Sequence, residues 1–557
     1  MSPYVANGVS HNDFSKLGVQ TPPLSTSSTA SSSSSSSLSL SSSLRSKASS
    51  RHDGFSTRAI HIGSEPSQET NAVIPSISLS TTYKQDGIGN HKGFEYSRSL
   101  NPNRDAFERM IAALEDGLEL DKKVLYNEAT NDDSPSESSL AVTTRGYAFS
   151  SGSAATATVL QSLGPDAHIL CINDVYGGTY RYLQRVANGL TNLSTTFIDF
   201  ENATDDNIIN SIRPNTKLIW IESPTNPTLR LANIPHISSL IHSHPHTTPS
   251  PRYTSLTRPL ILVDSTFLSP FYISPLKAPI NADITLHSVT KYINGHSDVV
   301  MGALIVRLSS PYPHPFLEAL PEKLSFLQNA HGAIPSSFDS WLAQRGAKTL
   351  ALRMKQHGLN ALALARALKR NPNVKEVVYP GLRDHPANPI VWSILRGSWA
   401  NEWIKSQGFK QDEEGRGDVP FGGIISIRID ISSSPSTPET FLTSLRLFTL
   451  AESLGGVESL AELPARMTHA GIPAEERAAL GIDDSLVRLS VGVEETSDLI
   501  ADVEQALEIA CGGGGASASA SANGDASSIS TVEEEAMFVD VDSANGSAED
   551  FAVSNGV

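Results

Sequence analysis

The feature that most constrains the fold is a series of short, almost continuous apolar runs in the first two thirds of the chain. These runs lie at 167–172, 217–221, 260–264, 282–287 and 301–307. Runs of this length without polar alternation are typical of strands buried on both faces, as in a parallel sheet covered by helices. Helical patterns accompany them at 104–116, 153–163, 178–189 and 205–213. The alternation predicts an α/β domain with a mostly parallel sheet.

A second, smaller α/β unit is predicted beyond this domain. One long amphipathic stretch, which predicts a single helix, runs from Asp339 to about Arg370 and ends at Asn371-Pro372. Strand patterns at 423–430 and 485–491 then alternate with helical patterns at 438–447 and 496–510. We therefore expect an arm at 53–112, a large domain at 113–338 and a smaller domain at 339–511.

Several polar tracts are predicted to lie outside the two cores. The Ser-rich leader 1–52 and the acidic tail 512–557 cannot bury enough apolar surface to offset their ordering entropy, so we expect both to be disordered. The leader weakly resembles a transit peptide, but its Ser tracts lack amphipathic periodicity. Segments 118–145, 241–259 and 407–420 have the composition of surface insertions.

Charge and cysteine content limit the classes of partner. The net charge is −17, of which the tail carries −8 and the leader +3, so the part between them carries −12. An acidic core does not favour nucleic-acid binding. Cys171 and Cys511 are the two cysteines, which excludes a disulfide scaffold and fits the cytoplasm. The absence of an 18-residue apolar run argues against a membrane span, and no secretory signal is predicted.

Chemically capable residues follow several predicted strands where each strand ends. These segments are Glu222-Ser223-Pro224-Thr225-Asn226, Asp264-Ser265-Thr266 and His287-Ser288-Val289-Thr290-Lys291, and Ser151-Gly152-Ser153 opens a predicted helix. In open parallel sheets, ligands bind at the carboxyl ends of the strands. Taken singly, Asp264 could be a strand-end cap, Lys291 a solvated lysine and Ser151-Gly152 an ordinary N-cap. Their joint occurrence predicts one ligand site.

The chemistry of these residues fits pyridoxal 5'-phosphate. A small-residue turn that opens a helix offers free backbone N–H groups for a phosphate, and the Ser288 and Thr290 hydroxyls can add to them. Lys291 can bond to the cofactor aldehyde, Asp264 can keep the pyridine nitrogen protonated, and the Tyr176 ring can stack on the cofactor. The absence of GxGxxG after the first strand and of GxxxxGK[ST] leaves a dinucleotide site and a P-loop unsupported.

Seven collinear blocks between about 53 and 510 resemble the Cys/Met-metabolism pyridoxal-phosphate enzymes, a fold type I family. They are FEYSRSLNPNR (94–104), SSGSAAT (150–156), NDVYGGTYR (173–181), ESPTNPT (222–228), HSVTKYINGHSDVVMG (287–302), AESLGGVESLAELPARMTH (451–469) and SLVRLSVGVEE (485–495). The resemblance implies a large domain that binds the cofactor and a smaller C-terminal α/β domain.

The resemblance also implies roles for individual residues. Lys291 is the lysine bonded to the cofactor and, with Tyr176, is catalytic. The implied cofactor contacts are Lys291, Asp264, Tyr176, Gly152, Ser153, Ser288, Thr290, Tyr96 and Arg98, the last two reaching a neighbouring subunit. The implied substrate contacts are Arg488, Asn226, Arg181, Glu452, Arg98 and Thr468. Shared sites of this kind imply a homotetramer built from dimers. For the substrate-side residues Arg181, Glu452 and Thr468, a surface or supporting role stays open.

The implied reaction is γ-elimination of an amino-acid substrate, L-cystathionine, because residues 80–93 are similar to fungal members that carry it out. Glu452 suits the distal ammonium of this substrate, and Ala461-Glu462-Leu463-Pro464-Ala465 favours elimination. The alternatives are γ-replacement by a synthase and a non-catalytic scaffold of the same fold.

Two features depart from this picture. Leu100 stands where the family usually has glycine, which puts in doubt the backbone conformation of the arm that carries Arg98. The run His242-Ser243-His244-Pro245-His246 raises a metal site as an alternative reading, but proline and a polar insertion argue against it.

Overall fold

The computed structural model describes residues 53–67, 69–116, 143–243, 258–312, 314–432 and 434–512. The leader 1–52, nearly all of the tail 512–557 and most of the insertions predicted at 118–145 and 241–259 lie outside these residues.

The large domain is built on a seven-stranded sheet. Its strands are β1 (Thr144–Phe149), β2 (His168–Ile172), β3 (Ser194–Ile198), β4 (Thr216–Glu222), β5 (Leu260–Asp264), β6 (Ile284–Ser288) and β7 (Gly302–Arg307), in the order β1-β7-β6-β5-β4-β2-β3. The five predicted apolar runs are confirmed as strands. The pattern missed β1 and β3, the two edge strands, because β1 opens on polar residues and β3 is only half-buried.

Strand direction decides where the functional residues meet. Strands β2 to β6 run parallel, whereas β7 is antiparallel to both β6 and β1. The apolar run at 301–307 suggested a parallel strand, but the link from β6 to β7 contains no helix to cross the sheet, and the chain turns back. Two successive reversals give β1 the direction of β4, β5 and β6. All four strands therefore end at one edge, which we call the carboxyl edge.

Helices cover the sheet. They are α1 (Phe55–His61), α2 (Pro102–Asp116), α3 (Gly152–Ser162), α4 (Gly177–Tyr182), a π-helical turn (Leu183–Ala187), α5 (Asn188–Thr191), α6 (Asp205–Asn210), α7 (Ile234–Ser243), α8 (Ser269–Tyr272) and α9 (Pro315–His331). The helical pattern at 178–189 is thus divided among three helical segments. Helix α2 packs on β1, and α3 packs against β6 and β7, which fixes the amino end of α3 at the carboxyl edge.

The long amphipathic stretch from Asp339 to Arg370 is two helices, α10 (Ser337–Ala347) and α11 (Leu350–Arg370). The single helix expected there is wrong because Gly346 packs directly on the turn after Lys291. A Cβ at Gly346 would lie 2.3 Å from the Asn294 carbonyl oxygen. At the break, the buried Arg353 guanidinium donates to the carbonyls of Tyr292 (2.5 Å), Ile293 (3.0 Å) and Gly346 (2.9 Å). The helix junction is therefore bonded to the turn that carries Lys291.

The smaller unit is a five-stranded sheet in the order β10-β11-β12-β9-β8. Its strands are β8 (Val374–Val378), β9 (Ile424–Ile429), β10 (Thr449–Leu450), β11 (Leu460–Glu462) and β12 (Leu486–Ser490), and its helices are α12 (Asn388–Leu395), α13 (Ala400–Ser406), α14 (Thr437–Ser444), α15 (Ala474–Ala479) and α16 (Thr496–Gly512). Strands β8, β9, β12 and β11 pair antiparallel in that order, whereas β10 is parallel to β11. Helices α14 and α16 pack together, and α16 contacts α11. No helix in the described part of the chain is long and apolar enough to cross a membrane.

We expect Arg353→Leu to reduce the free energy of unfolding by about 3 kcal/mol, because three buried carbonyls lose their donor. Chemical denaturation of the variant measures the change. The control is Arg345→Ala, which removes an exposed arginine from α10. An unfolding midpoint equal to that of the control would contradict the prediction.

Candidate active site

A cavity of about 370 Å³ lies at the carboxyl edge of the large sheet, where the smaller unit closes over it. Most of the predicted site residues line it: Gly152, Ser153, Tyr176, Asn226, Asp264, Ser288, Thr290, Lys291, Glu452, Thr468 and Arg488. The large sheet supplies the ends of β4, β5 and β6. The smaller unit supplies the loop that follows β10 and a guanidinium from β12.

One wall of the cavity has the features of a phosphate site. Helix α3 begins at Gly152, and the Ser151 hydroxyl caps it by accepting a hydrogen bond from the Ala154 N–H at 3.0 Å. Gly152 adjoins Ser288, since a Cβ at Gly152 would lie 3.4 Å from the Ser288 Cβ. The free N–H groups and the dipole of the helix therefore point to the same wall as a serine hydroxyl.

Thr290 lies on the cavity but uses its hydroxyl internally. Its Oγ1 donates to the Met301 carbonyl at 3.2 Å and accepts from the Met301 N–H at 3.0 Å. These two bonds brace the turn between β6 and β7. We therefore assign Thr290 first to the shape of the turn and only second to ligand contact.

Two carboxyl groups lie side by side at the ends of β4 and β5, Glu222 buried and Asp264 half-buried. Glu222 and Asp264 are register partners in the parallel pair. The Asp264 Oδ1 accepts from the Thr266 N–H (3.1 Å) and hydroxyl (2.6 Å). Burial raises the pKa of both carboxyl groups, and the neighbouring Asp264 raises that of Glu222 further. A cationic ring nitrogen placed against Asp264 would relieve this cost, which fits a pyridinium partner.

Glu222 also positions Tyr176, which precedes α4. The Glu222 Oε2 accepts from the Tyr176 N–H at 3.0 Å. The Tyr176 ring lies over Gly178, where a Cβ would be 2.4 Å from the ring carbon Cε1. The second glycine of Tyr176-Gly177-Gly178 is therefore required by the close approach of this ring. Burial of part of the ring raises the pKa of the Tyr176 hydroxyl, and Arg181 opposes that rise.

The Lys291 amine points into the cavity from the turn after β6. Its Nζ donates to the Ser453 Oγ at 2.6 Å. Burial lowers the pKa of Lys291 to about 8, with a further contribution from the positive charge of Arg488. Ser453 holds a φ of +88°, a conformation that is costly for any residue except glycine. The strained loop thus places a hydroxyl directly on the reactive amine.

The Arg488 guanidinium is buried and held by acceptors from both units. Its Nη1 donates to the Asn226 Oδ1 at 3.0 Å and contacts the Glu462 Oε1 at 2.9 Å, and its Nη2 donates to the Ser453 carbonyl at 2.6 Å. Its Nε is buried without a hydrogen-bond partner among the described residues. Three of the five donors are used, which leaves Nε and one Nη2 proton for a ligand.

Three predicted site residues lie outside this cavity. Arg98 donates from Nη1 to the Asn329 carbonyl (3.0 Å) and side chain (2.9 Å), and Tyr96, beside it, is 45% exposed. Arg181 is exposed on α4, close enough to influence Tyr176. Leu100 does not adopt a positive φ, so the departure from glycine leaves the arm unstrained at that position.

Three residues that hold the site together, Ser453, Glu462 and Glu222, were given no individual role by the sequence patterns. Glu222 was recoverable, because it ends one predicted strand as Asp264 ends the next. Ser453 and Glu462 come from the smaller unit, and nothing in their residue type marks them. Of the histidines considered as an alternative metal site, His244 and His246 lie outside the described residues. His242 stacks on Tyr312 with ring centroids 3.8 Å apart, and the described residues contain no group of three or more side chains suited to a metal ion.

A helix amino end beside hydroxyls, a buried carboxyl group and an amine of lowered pKa fit the phosphate, ring nitrogen and aldehyde of pyridoxal phosphate. The fold and the site together define a pyridoxal-phosphate-dependent enzyme of the fold type I class.

Comparisons with known proteins give the family. The model of the Cys/Met metabolism PLP-dependent enzymes matches residues 56–124, 137–400 and 407–508. Cystathionine gamma-lyase of Saccharomyces cerevisiae is 44% identical over 460 residues, covering 82% of this chain and 98% of the yeast protein. The human cystathionine gamma-lyase is 42% identical over 457 residues, covering 82% and 94%. The chain belongs to the Cys/Met metabolism PLP-dependent enzyme family.

Solved structures agree with this assignment. The crystal structure of cystathionine gamma-lyase from yeast superposes with a TM-score of 0.64 at 44% identity, covering 83% of this chain and 99% of that one. A cystathionine gamma synthase from Xanthomonas oryzae pv. oryzae, in complex with cystathionine, gives a TM-score of 0.66 at 32% identity, covering 83% and 99%. The predicted fold class, family and cofactor are confirmed.

The low pKa of Lys291 predicts how cofactor uptake depends on pH. Because only the neutral amine attacks an aldehyde, the rate at which apoenzyme takes up pyridoxal phosphate should rise with pH and level off above about 8. An ordinary lysine would continue to gain reactivity to a pH of about 10.4. The measurement is the growth of visible absorption after mixing, at a series of pH values. In Arg488→Met the plateau should move to higher pH, and a wild-type rate without a plateau would contradict the assignment.

Proposed function

We propose that this enzyme carries out γ-elimination of L-cystathionine to L-cysteine, 2-oxobutanoate and ammonia, as the carbon–sulfur lyase of transsulfuration in cysteine biosynthesis. The observation that carries the proposal is one cavity in which the Lys291 amine, the Arg488 guanidinium and the Glu452 carboxylate meet. This set matches a substrate with an α-hydrogen, an α-carboxylate and a distal ammonium. The curated relatives named above, cystathionine gamma-lyases, support it.

The cofactor would be held by Lys291, Asp264, the Tyr176 ring, Gly152, Ser153, Ser288 and Thr290. Tyr96 and Arg98 would reach the phosphate of a neighbouring subunit. When bound, pyridoxal phosphate supplies a cationic conjugated ring that accepts the electron pair released at the substrate α-carbon.

The substrate is positioned by charge. The Nε and the remaining Nη2 proton of Arg488 form a fork that matches the α-carboxylate, beside Asn226. Glu452 pairs with the distal ammonium from the mouth of the cavity, where it is exposed. Thr468 lines the same side of the cavity, and Arg181 would act there by its charge from outside the cavity. A substrate without the distal ammonium would lose the Glu452 contact and bind less tightly.

Lys291 moves the protons. Its lowered pKa leaves part of the amine neutral near pH 8, so it can remove the α-proton and then a β-proton as the γ-thiolate departs. The thiolate takes up a proton and leaves as cysteine. Tyr176 assists deprotonation of the substrate amine. Water then hydrolyses the released enamine to 2-oxobutanoate and ammonia, which completes the atom balance.

Lys291→Ala should abolish release of both cysteine and 2-oxobutanoate from L-cystathionine, since the group that moves the protons is lost. Purified protein is assayed for both products and for visible absorption by the bound cofactor. The matched control is Lys375→Ala, which removes a half-exposed lysine paired with Asp430. Turnover by the Lys291 variant would contradict its role.

Two further measurements on the wild-type protein would identify the alternative functions. Dominant formation of cystathionine from cysteine and an O-activated homoserine would identify a synthase. A wild-type protein that never takes up pyridoxal phosphate would identify a scaffold without catalysis.

We further propose a homotetramer of dimers with shared active sites, located in the cytoplasm. Arg98 and Tyr96 do not line the cavity of their own chain, and the arm around them exposes Val73 (76%), Leu79 (75%) and Ile88 (108%). Apolar side chains exposed together on an arm are typical of a subunit interface. Cys171 and Cys511 are both free thiols, as suits a reducing compartment. We also propose the division of the chain into an arm at 53–112 and domains at 113–338 and 339–511, with the leader and the tail outside them.

Shared sites predict complementation between inactive variants. Lys291→Ala and Arg98→Ala subunits should each be inactive alone. Refolded together at equal amounts they should regain about a quarter of the wild-type activity, because half of the dimers are mixed and each mixed dimer has one intact site. Lys291→Ala mixed with Lys291→Ala carrying Arg98→Ala is the control and should stay inactive. Failure of the first mixture, with dimers present by light scattering, would contradict a shared site.

A further inference from the structure

Glu462 is buried directly behind the guanidinium that faces the cavity. It ends β11 as the register partner of Arg488 on β12, so the two side chains leave the sheet on the same face. Glu462 is fully buried and Arg488 is 2% exposed. Glu462 does not line the cavity. It can therefore act on a ligand only through the residues that it contacts, chiefly Arg488.

The two oxygens of Glu462 are used unequally. Oε1 contacts the Arg488 Nη1 at 2.9 Å and accepts from the Thr468 hydroxyl at 2.8 Å. Oε2 is buried and has no hydrogen-bond partner in the part of the chain that the structure describes. A buried charged oxygen without a donor is costly, so the site leaves room for a proton on Glu462.

We propose that Glu462 is a resident counter-carboxylate, which orients Arg488 and competes with the substrate α-carboxylate for its charge. The inference rests on the proposed binding of that carboxylate by Arg488. Two carboxylates would then face one guanidinium, Glu462 on Nη1 and the substrate on Nε and Nη2. Glu462 is a positioning residue that sets how strongly the site holds a carboxylate.

Proton uptake follows from this arrangement. Burial already raises the pKa of Glu462, although Arg488 opposes the rise. A second anion on the same guanidinium raises that pKa further, so binding of a carboxylate draws a proton onto Glu462. The affinity for the carboxylate is therefore high at pH values where Glu462 is protonated, and it falls as rising pH ionises Glu462.

The other groups around Glu462 do not cancel this effect. Glu452 raises its pKa and Lys291 lowers it. Tyr176 also feels the charge of Glu462. The Nδ1 of His469 lies 2.9 Å from the Thr468 hydroxyl, and burial lowers the pKa of His469 to about 4, so the ring is neutral in the relevant range. These groups are the same in a variant that changes Glu462 alone.

The test is calorimetric titration of holoenzyme with propionate, a carboxylate that has no amine and needs no turnover. Glu462→Gln keeps the oxygen that faces Arg488 and Thr468 but removes the charge. It should bind propionate on the order of tenfold more tightly than wild type at a pH where Glu462 is ionised. In wild type the dissociation constant should rise with pH, and in Glu462→Gln that rise should be absent. Glu439→Gln, which removes an exposed carboxylate near Arg466, is the matched control and should behave as wild type.

A Glu462→Gln protein with wild-type affinity and wild-type pH dependence would overturn the inference. Weaker binding with unchanged pH dependence would also overturn it, because it would mean that Glu462 only supports the fold. The wild-type dissociation constant measured against pH tests the point even if the variant does not fold. Turnover of L-cystathionine is measured separately, so failure of the proposed function and failure of this inference are distinguishable.

Discussion

The bonds made by the buried Arg488 guanidinium organise the rest of the site. They join Asn226, which follows β4 of the large sheet, to Ser453 and Glu462 of the smaller unit. The same contact between the large domain and the smaller unit is reinforced by His469, whose Nε2 bonds to the Asn226 carbonyl at 3.0 Å. A buried arginine with unmet donors is costly, so Ser453 and Glu462 hold the guanidinium in place and Asn226 ties it to the large domain. The contact between the two units also encloses the cavity.

The direction of the strands explains why the reactive groups meet. Glu222, Asp264 and Ser288 lie at the ends of three neighbouring parallel strands. The phosphate wall comes from β1, which is far from them in the chain but reaches the same edge through two reversals of direction. Lys291 follows one short turn after β6, which is held by Thr290 and Arg353. Backbone topology thus provides most of the positioning, and side chains refine it.

Much of this arrangement could be predicted from the sequence, and the remainder could not for physical reasons. Buried parallel strands have unbroken apolar runs, so their ends, with Asp264 and Lys291, were visible. The edge strands β1 and β3 are polar on part of their length and left no such signal. The helix break before Leu350 depends on contact between Gly346 and a distant turn. Ser453 and Glu462 matter because of what the smaller unit packs against, which no local pattern records.

The opposite edge of the large sheet has a consequence of its own. Strand β1 begins at Thr144 and β5 at Leu260, and because these two strands run in the same direction, both amino ends lie at this edge. Both strands are thus entered at their amino ends, on the far side of the sheet from Lys291. Segments inserted before β1 and before β5 therefore lengthen the protein with little effect on catalysis. A fluorescent or affinity module can be grafted at the same two places.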